Sequence, residues 1–362
     1  MNFTADSAAD PFGHNLLAQR LQLIPQILTD MLTAGPRPLS PRSLASQRFI
    51  VTGTGSSEAH ARYLATLLNL HSDLAAAYLP LSGFVDAPPA MFAGKTLVVF
   101  SQGVSPNAQI ALQRGRDFAH TILFTATSPE AAETAGKTDR ARLLRSILDQ
   151  RGELVEFPLA EEYTTLIRFV GPLAGYLTAL QFTAQFSSSR VILPTAADLA
   201  PLLAAKAPSQ LRDAMCQLPS EFAGGLNVIT AAPISDFSQN LACKFMEGLY
   251  WTCPSISDFL QFAHGPFQQM TAHPKPAIIL QGDGPREAEM VQRGVDMLRG
   301  VGASAFVIQV PAPPLLSIFG FEAALNDLVF QAMRHLGVDQ VNWPGKGRDD
   351  QLYGFCPDPA TA

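Results

Sequence analysis

A recurring order of short apolar strand, small-residue loop and helix constrains this chain more than any other feature. "RFIVTG" runs through Gly-Thr-Gly-Ser-Ser into a helical pattern ending near Leu70; "TLVVFSQ" leads into a second ending near Phe118; "TILFTA" follows. Continuous apolar strands separated by helices predict a parallel sheet buried on both faces. After a helix expected from about Tyr163 and the Ser- and Pro-containing "SSSRVILPTAADLAP", the order restarts with "LNVITAA", "AIILQGD" and "AFVIQV". The expected fold class is α/β, two duplicated αβα sandwich units with parallel sheets.

The halves can be superposed as text. A shift of 179 residues lays Gln102–Asp117 on Gln281–Asp296 with seven identities in sixteen positions, and Phe49–Val51 on Val228–Thr230. At 362 residues with 47% apolar content, two domains are the default for such a chain. The expected organisation is an N-terminal helical segment (1–35), a first unit (36–190), a linker helix region (191–215), a second unit (216–346) and a C-terminal tail (347–362).

Composition narrows the partners. A net charge of -6 without basic clusters argues against nucleic acid, whose phosphates demand concentrated Lys and Arg. Apolar runs broken by Gly, Pro or charge, and an N-terminus without a basic-then-apolar leader, predict no membrane span and no targeting signal. The four cysteines, Cys216, Cys243, Cys253 and Cys356, show no CxxC spacing, so neither a zinc site nor a disulfide scaffold is expected, and no metal. The expectation is a cytoplasmic protein acting on a small molecule.

In an open parallel sheet, ligands collect beyond the carboxyl ends of the strands, where helix N-termini expose backbone N–H groups. The first unit places hydroxyls there: Thr54, Ser56 and Ser57 after the first strand, then Ser101, Gln102 and Ser105 after the next. Neutral donors at helix N-termini suit a phosphate, although each serine alone would serve equally as a helix cap. The matching loops of the second unit carry Asp236, Asp283 and Glu287, which would repel an anion. Gly53-x-Gly55 invites a dinucleotide reading, but Glu58 stands at the third glycine position; no GxxxxGK[ST] occurs. Glu58 would compete with a bound anion, and His60 is a further candidate contact.

Read with "KFMEGLYW", "FAHGPF" and "GVDQVNWPGK", these loops make the chain similar to double sugar-isomerase (SIS) domain proteins, over about residues 36 to 346. That family includes the isomerase half of glucosamine-6-phosphate synthase and stand-alone phosphosugar isomerases and deaminases. The resemblance implies flavodoxin/Rossmann-like units and no cofactor. It implies a phosphosugar held by Gly55, Ser56 and Ser57 and by Ser101, Gln102 and Ser105, with Gly103 where a serine is usual. It implies Glu247 as the proton-transfer base, His264 as the ring-opening group supplied across a homodimer interface, and Lys346 near the carbonyl or departing amine. No glutaminase segment precedes the first unit, so glutamine hydrolysis is not expected. The implied function is a phosphosugar isomerase or amino-sugar-phosphate deaminase working by general acid/base enediol chemistry; the alternative is a non-catalytic sugar-phosphate sensor.

Overall fold

The computed structural model describes residues 10–157, 162 and 164–355. Cys356 and the expected helix start at Tyr163 lie outside them. After the N-terminal helix α1 (His14–Ala34), the first sheet holds β1 (Arg48–Thr52), β2 (Ala75–Tyr78), β3 (Thr96–Phe100), β4 (His120–Thr125) and β5 (Glu153–Glu156), in the order β2-β1-β3-β4-β5. The second holds β6 (Asn227–Thr230), β7 (Ser255–Asp258), β8 (Ala277–Gln281) and β9 (Ala305–Gln309), in the order β7-β6-β8-β9. All strand pairs are parallel. The shared order of the first four strands is the duplication expected from the sequence.

The residue-for-residue repeat is not. Phe49 pairs with Thr96 and Val228 pairs with Ile278, so the second unit spends three more residues between its first two central strands. A gap-free shift that matches β1 to β6 therefore leaves the Gln-Gly identities out of structural register, and those identities carry no common position in the fold.

Helices α2 (Ser56–His71), α3 (Pro106–Gln113) and α4 (Thr138–Asp149) cover the first sheet. Helix α5 (Val170–Thr183) is buried at every residue, as an apolar helix without a polar face must be. Its exposed N–H groups are met by the buried carboxylate of Glu162, which accepts from the amides of Phe169, Val170 and Gly171 at 3.3, 3.1 and 2.7 Å. Two short helices, α6 (Ala196–Leu203) and α7 (Ser209–Gln217), lead to the second unit, which carries α8 (Gln239–Leu249), α9 (Phe259–His264), α10 (Glu287–Gly300) and α11 (Pro314–Leu336); α12 (Asp350–Tyr353) follows. Helix α11 is long and apolar enough to cross a membrane, but 72% of its apolar window is buried inside the protein, which makes it a core helix.

One apolar core runs through both units, from Phe49 and Val98 of the first sheet through Tyr63 and Tyr176 to Ile278 and Ile308 of the second. Hydrogen bonds cross it: Tyr63 Oη donates to Leu315 O at 2.8 Å and Tyr176 Oη to Phe237 O at 3.1 Å. The carboxyl ends of β1 and β3 thereby face residues contributed by α8.

Candidate functional site

A cleft of about 570 Å³ opens there, walled by the first unit's two loops, by Leu166 and Arg168 ahead of α5, by Arg140 of α4, by Asn240 and Glu247 of α8, and by Tyr353. The structure brings Gly55, Ser56, Ser57, Ser101, Gln102, Ser105 and Glu247 together on it. It does not bring His264 or Lys346 to it. His264 ends α9, exposed. Lys346 Nζ donates to Val341 O at 2.6 Å and lies over the Trp343 ring at 4.4 Å.

The first loop turns at Gly55, whose φ of 61° and ψ of -132° belong to backbone space open to glycine and costly for other residues. Helix α2 starts at once, so the Ser56 and Ser57 hydroxyls sit with its N-terminal amides at the positive end of the helix dipole. Glu58 does not compete: its carboxylate pairs with Arg62 at 2.8 Å, and the guanidinium stacks over Tyr78 at 4.0 Å. His60 is a core residue. Its ring is 4% exposed, bonds Pro172 O through Nε2 at 2.9 Å and packs edge-on against Tyr176. Burial lowers its pKa to about 4, partly opposed by that hydrogen bond, with Lys244 lowering it further.

The second loop is tied at both ends. Ser101 N donates to Phe124 O and Ala126 N to Gln102 O, both at 2.9 Å, extending the β3–β4 ladder into the loop. Ser101 Oγ accepts from Ser105 N at 3.0 Å, and Ser105 Oγ caps α3 at Ala108 N, 3.3 Å. The closure holds Val104 at φ 53°, a left-handed conformation that costs a β-branched residue about 1–3 kcal/mol. Gln102 is 8% exposed, lines the cleft, and its Nε2 has no partner among the described residues. A buried amide donor left unpaired costs about 1–3 kcal/mol, a cost that a ligand acceptor would remove.

Helix α8 turns Asn240, Lys244 and Glu247 to one side at helical spacing, a polar stripe on an otherwise apolar helix. Glu322 of α11 holds the upper part: Asn240 Nδ2 donates to Oε1 at 2.5 Å, and Lys244 Nζ lies 2.7 Å from Oε2 with both charges almost fully buried. At the lower end the buried Gln340 side chain donates to Glu247 O and Gly248 O at 3.0 and 3.2 Å while accepting from Ile167 N at 3.0 Å. Glu247 and the segment carrying Arg168 are thereby fastened to one residue. Burial raises the Glu247 carboxyl above its ordinary range, with Arg168 and then Lys244 pulling it back.

Sequence reasoning missed Arg140, Arg168, Asn240 and Tyr353. Asn240 had a signal, the i, i+4, i+7 spacing to Lys244 and Glu247; the others arrive through tertiary packing. Among the described residues no cluster of His, Cys, Asp or Glu could hold a metal ion.

No protein-family model and no curated protein matches this sequence. Solved structures do. The C-terminal domain of glucosamine-fructose-6-phosphate aminotransferase from Francisella tularensis matches with a TM-score of 0.69 at 11% identity, over 90% of this chain and 97% of that one. Tagatose-6-phosphate ketose/aldose isomerase from Escherichia coli matches at 0.62 and 12%, over 94% and 98%. Glucosamine-6-phosphate deaminase from Thermotoga maritima matches at 0.57 and 17%, over 91% and 96%. The chain has the two-unit sugar-isomerase (SIS) fold.

Proposed function

We propose that the cleft binds a phosphosugar and that Glu247 moves a proton between its C1 and C2, making the protein a ketose/aldose phosphate isomerase or an amino-sugar-phosphate deaminase. The observation that carries this is one cleft with two kinds of wall. Hydroxyls, helix N-termini and the unpartnered Gln102 amide face it from the first unit; a carboxyl raised by burial faces it from the second. The neutral donors suit the phosphate, and a carboxylate shifted toward neutrality suits a general base, which contributes roughly 100- to 10,000-fold. The solved structures that share the fold are named for phosphosugar chemistry, which supports the same assignment.

In this scheme Glu247 accepts the proton α to the carbonyl, an enediol forms, and the proton returns to the neighbouring carbon. No redox change is needed. We further propose that His264 opens the sugar ring in the cleft of a neighbouring copy, so that a homodimer completes two sites. Its exposure at a helix end, beside Leu260 at 75% exposure, leaves it available to such a neighbour. Lys346 would have to leave Val341 O and Trp343 to join the site.

The test is exchange of the substrate's C1 or C2 proton with deuterated solvent over a panel of hexose and aminohexose 6-phosphates. Wild type exchanges at least one of them, and Glu247→Gln binds it but loses exchange by roughly 100- to 10,000-fold. Equal exchange by the variant removes Glu247 from the chemistry. Binding without exchange by wild type makes the protein a sensor.

A further inference from the structure

Two arginines wall the cleft, and the protein itself uses one of them there. Arg168 acts on Glu247, holding its carboxyl down against burial. Arg140, half-buried on α4, makes no hydrogen bond or ion pair among the described residues. Its neighbours on the same helix differ: Arg142 pairs with Asp139 at 3.0 Å, and Arg145 pairs with Glu133. An unpaired guanidinium held in a concave site is unusual, because its five donors suit a carboxylate or phosphate bidentately.

Arg140 also borders a second cavity of about 250 Å³, walled by Val104, Pro106, Gln109 and the Gly136–Asp139 turn; Pro106 and Arg140 are common to both spaces. Among the described residues the one carboxylate on that wall, Asp139, is engaged by Arg142. The first phosphate needs none of this, since the Ser56–Ser57 and Ser101–Ser105 loops supply its donors.

We propose that Arg140 and this side cavity receive a second acidic group, a carboxylate or a second phosphate, so that the ligand is a sugar phosphate with two anionic ends. This rests on the phosphosugar assignment above and narrows its substrate class. Arg140 then selects among phosphosugars, while the serine loops and Gln102 bind what all phosphosugars share.

The experiment is titration calorimetry of the full chain with fructose 6-phosphate, fructose 1,6-bisphosphate and 6-phosphogluconate. At least one diacid binds about tenfold or more tighter than fructose 6-phosphate, the size expected of charge-assisted hydrogen bonds. Arg140→Gln erases that gain and weakens fructose 6-phosphate far less than it weakens the diacid; Arg140→Lys keeps part of the gain. A gain with the bisphosphate alone identifies a phosphate subsite, and one with 6-phosphogluconate alone a carboxylate subsite. The proposal is overturned if fructose 6-phosphate binds and neither diacid gains, if the gain survives in Arg140→Gln, or if that variant weakens all three ligands alike. If none of the three binds wild type while another hexose or aminohexose 6-phosphate does, the diacid proposal is overturned; if no phosphosugar of the panel above binds, the phosphosugar assignment is overturned, and the subsite with it.

Discussion

His60 shows how a residue near the cleft in sequence becomes part of the core. The Cβ that an alanine at Gly175 would carry falls 2.3 to 2.6 Å from the His60 ring, so α5 approaches α2 only because that position is glycine. Enclosed there, His60 stays neutral in the folded protein, with its pKa at about 4 against 6.5 unfolded. The unfolded chain therefore takes the proton first. Stability from this residue is complete above pH 6.5 and is lost as pH falls toward 4, roughly 3 kcal/mol across the window. Other groups titrate differently: burial raises Glu153, but hydrogen bonds from His120, Ser43 and Ser40 hold it at about 2, and the raised Glu247 loses stability as pH rises. Urea unfolding should show wild type weaker at pH 5 than at pH 7 by about 2 kcal/mol more than His60→Gln is. Equal pH dependence in the two proteins would contradict a neutral, buried His60.

At the scale of elements, Gln340 fastens the end of α8 to the Leu166–Arg168 segment. Gln340→Leu keeps the volume and leaves Ile167 N and the carbonyls of Glu247 and Gly248 without this partner. Each buried group left unpaired costs about 1–3 kcal/mol. The variant should unfold at lower urea, by at least about 2 kcal/mol, and should show slower proton exchange as Glu247 loses its footing. Unchanged stability would mean the strap does not hold. The elements differ in how legible they were. β1, β3, β4, β6 and β8 could be read because central strands buried on both faces are continuously apolar, and β9, an edge strand, because its "AFVIQ" is apolar all the same. The edge strands β5 "ELVE" and β7 "SISD" are of mixed polarity, and β2 "AAAY", also at an edge, is four residues of mostly alanine, so none gave a strand pattern. The serine loops were legible from composition and position. Arg140 and Arg168 were not, since nothing local distinguishes them from surface arginines. For Lys346 and His264, the family resemblance pointed to the segments but could not say that one side chain folds back on Val341 and Trp343 and the other is exposed.

For the whole molecule, the continuous core matters most. It fixes α8 of the second unit against the carboxyl edge of the first sheet, so the proposed base and the proposed phosphate cradle share one rigid cleft. The two units share a strand order but differ at the cleft, where the first contributes the serine loops and the second Glu247. The remaining proton donor, His264, comes from outside the cleft in the homodimer proposed above. The most direct test is a crystal structure of the protein with a bound hexose 6-phosphate. The account predicts the phosphate against Ser56, Ser57, Ser101 and Ser105, an acceptor within hydrogen-bond reach of Gln102 Nε2, C1 and C2 beside Glu247, and His264 contributed by a neighbouring copy. A phosphate held away from both serine loops, or a sugar whose C1 and C2 lie out of reach of Glu247, would contradict it.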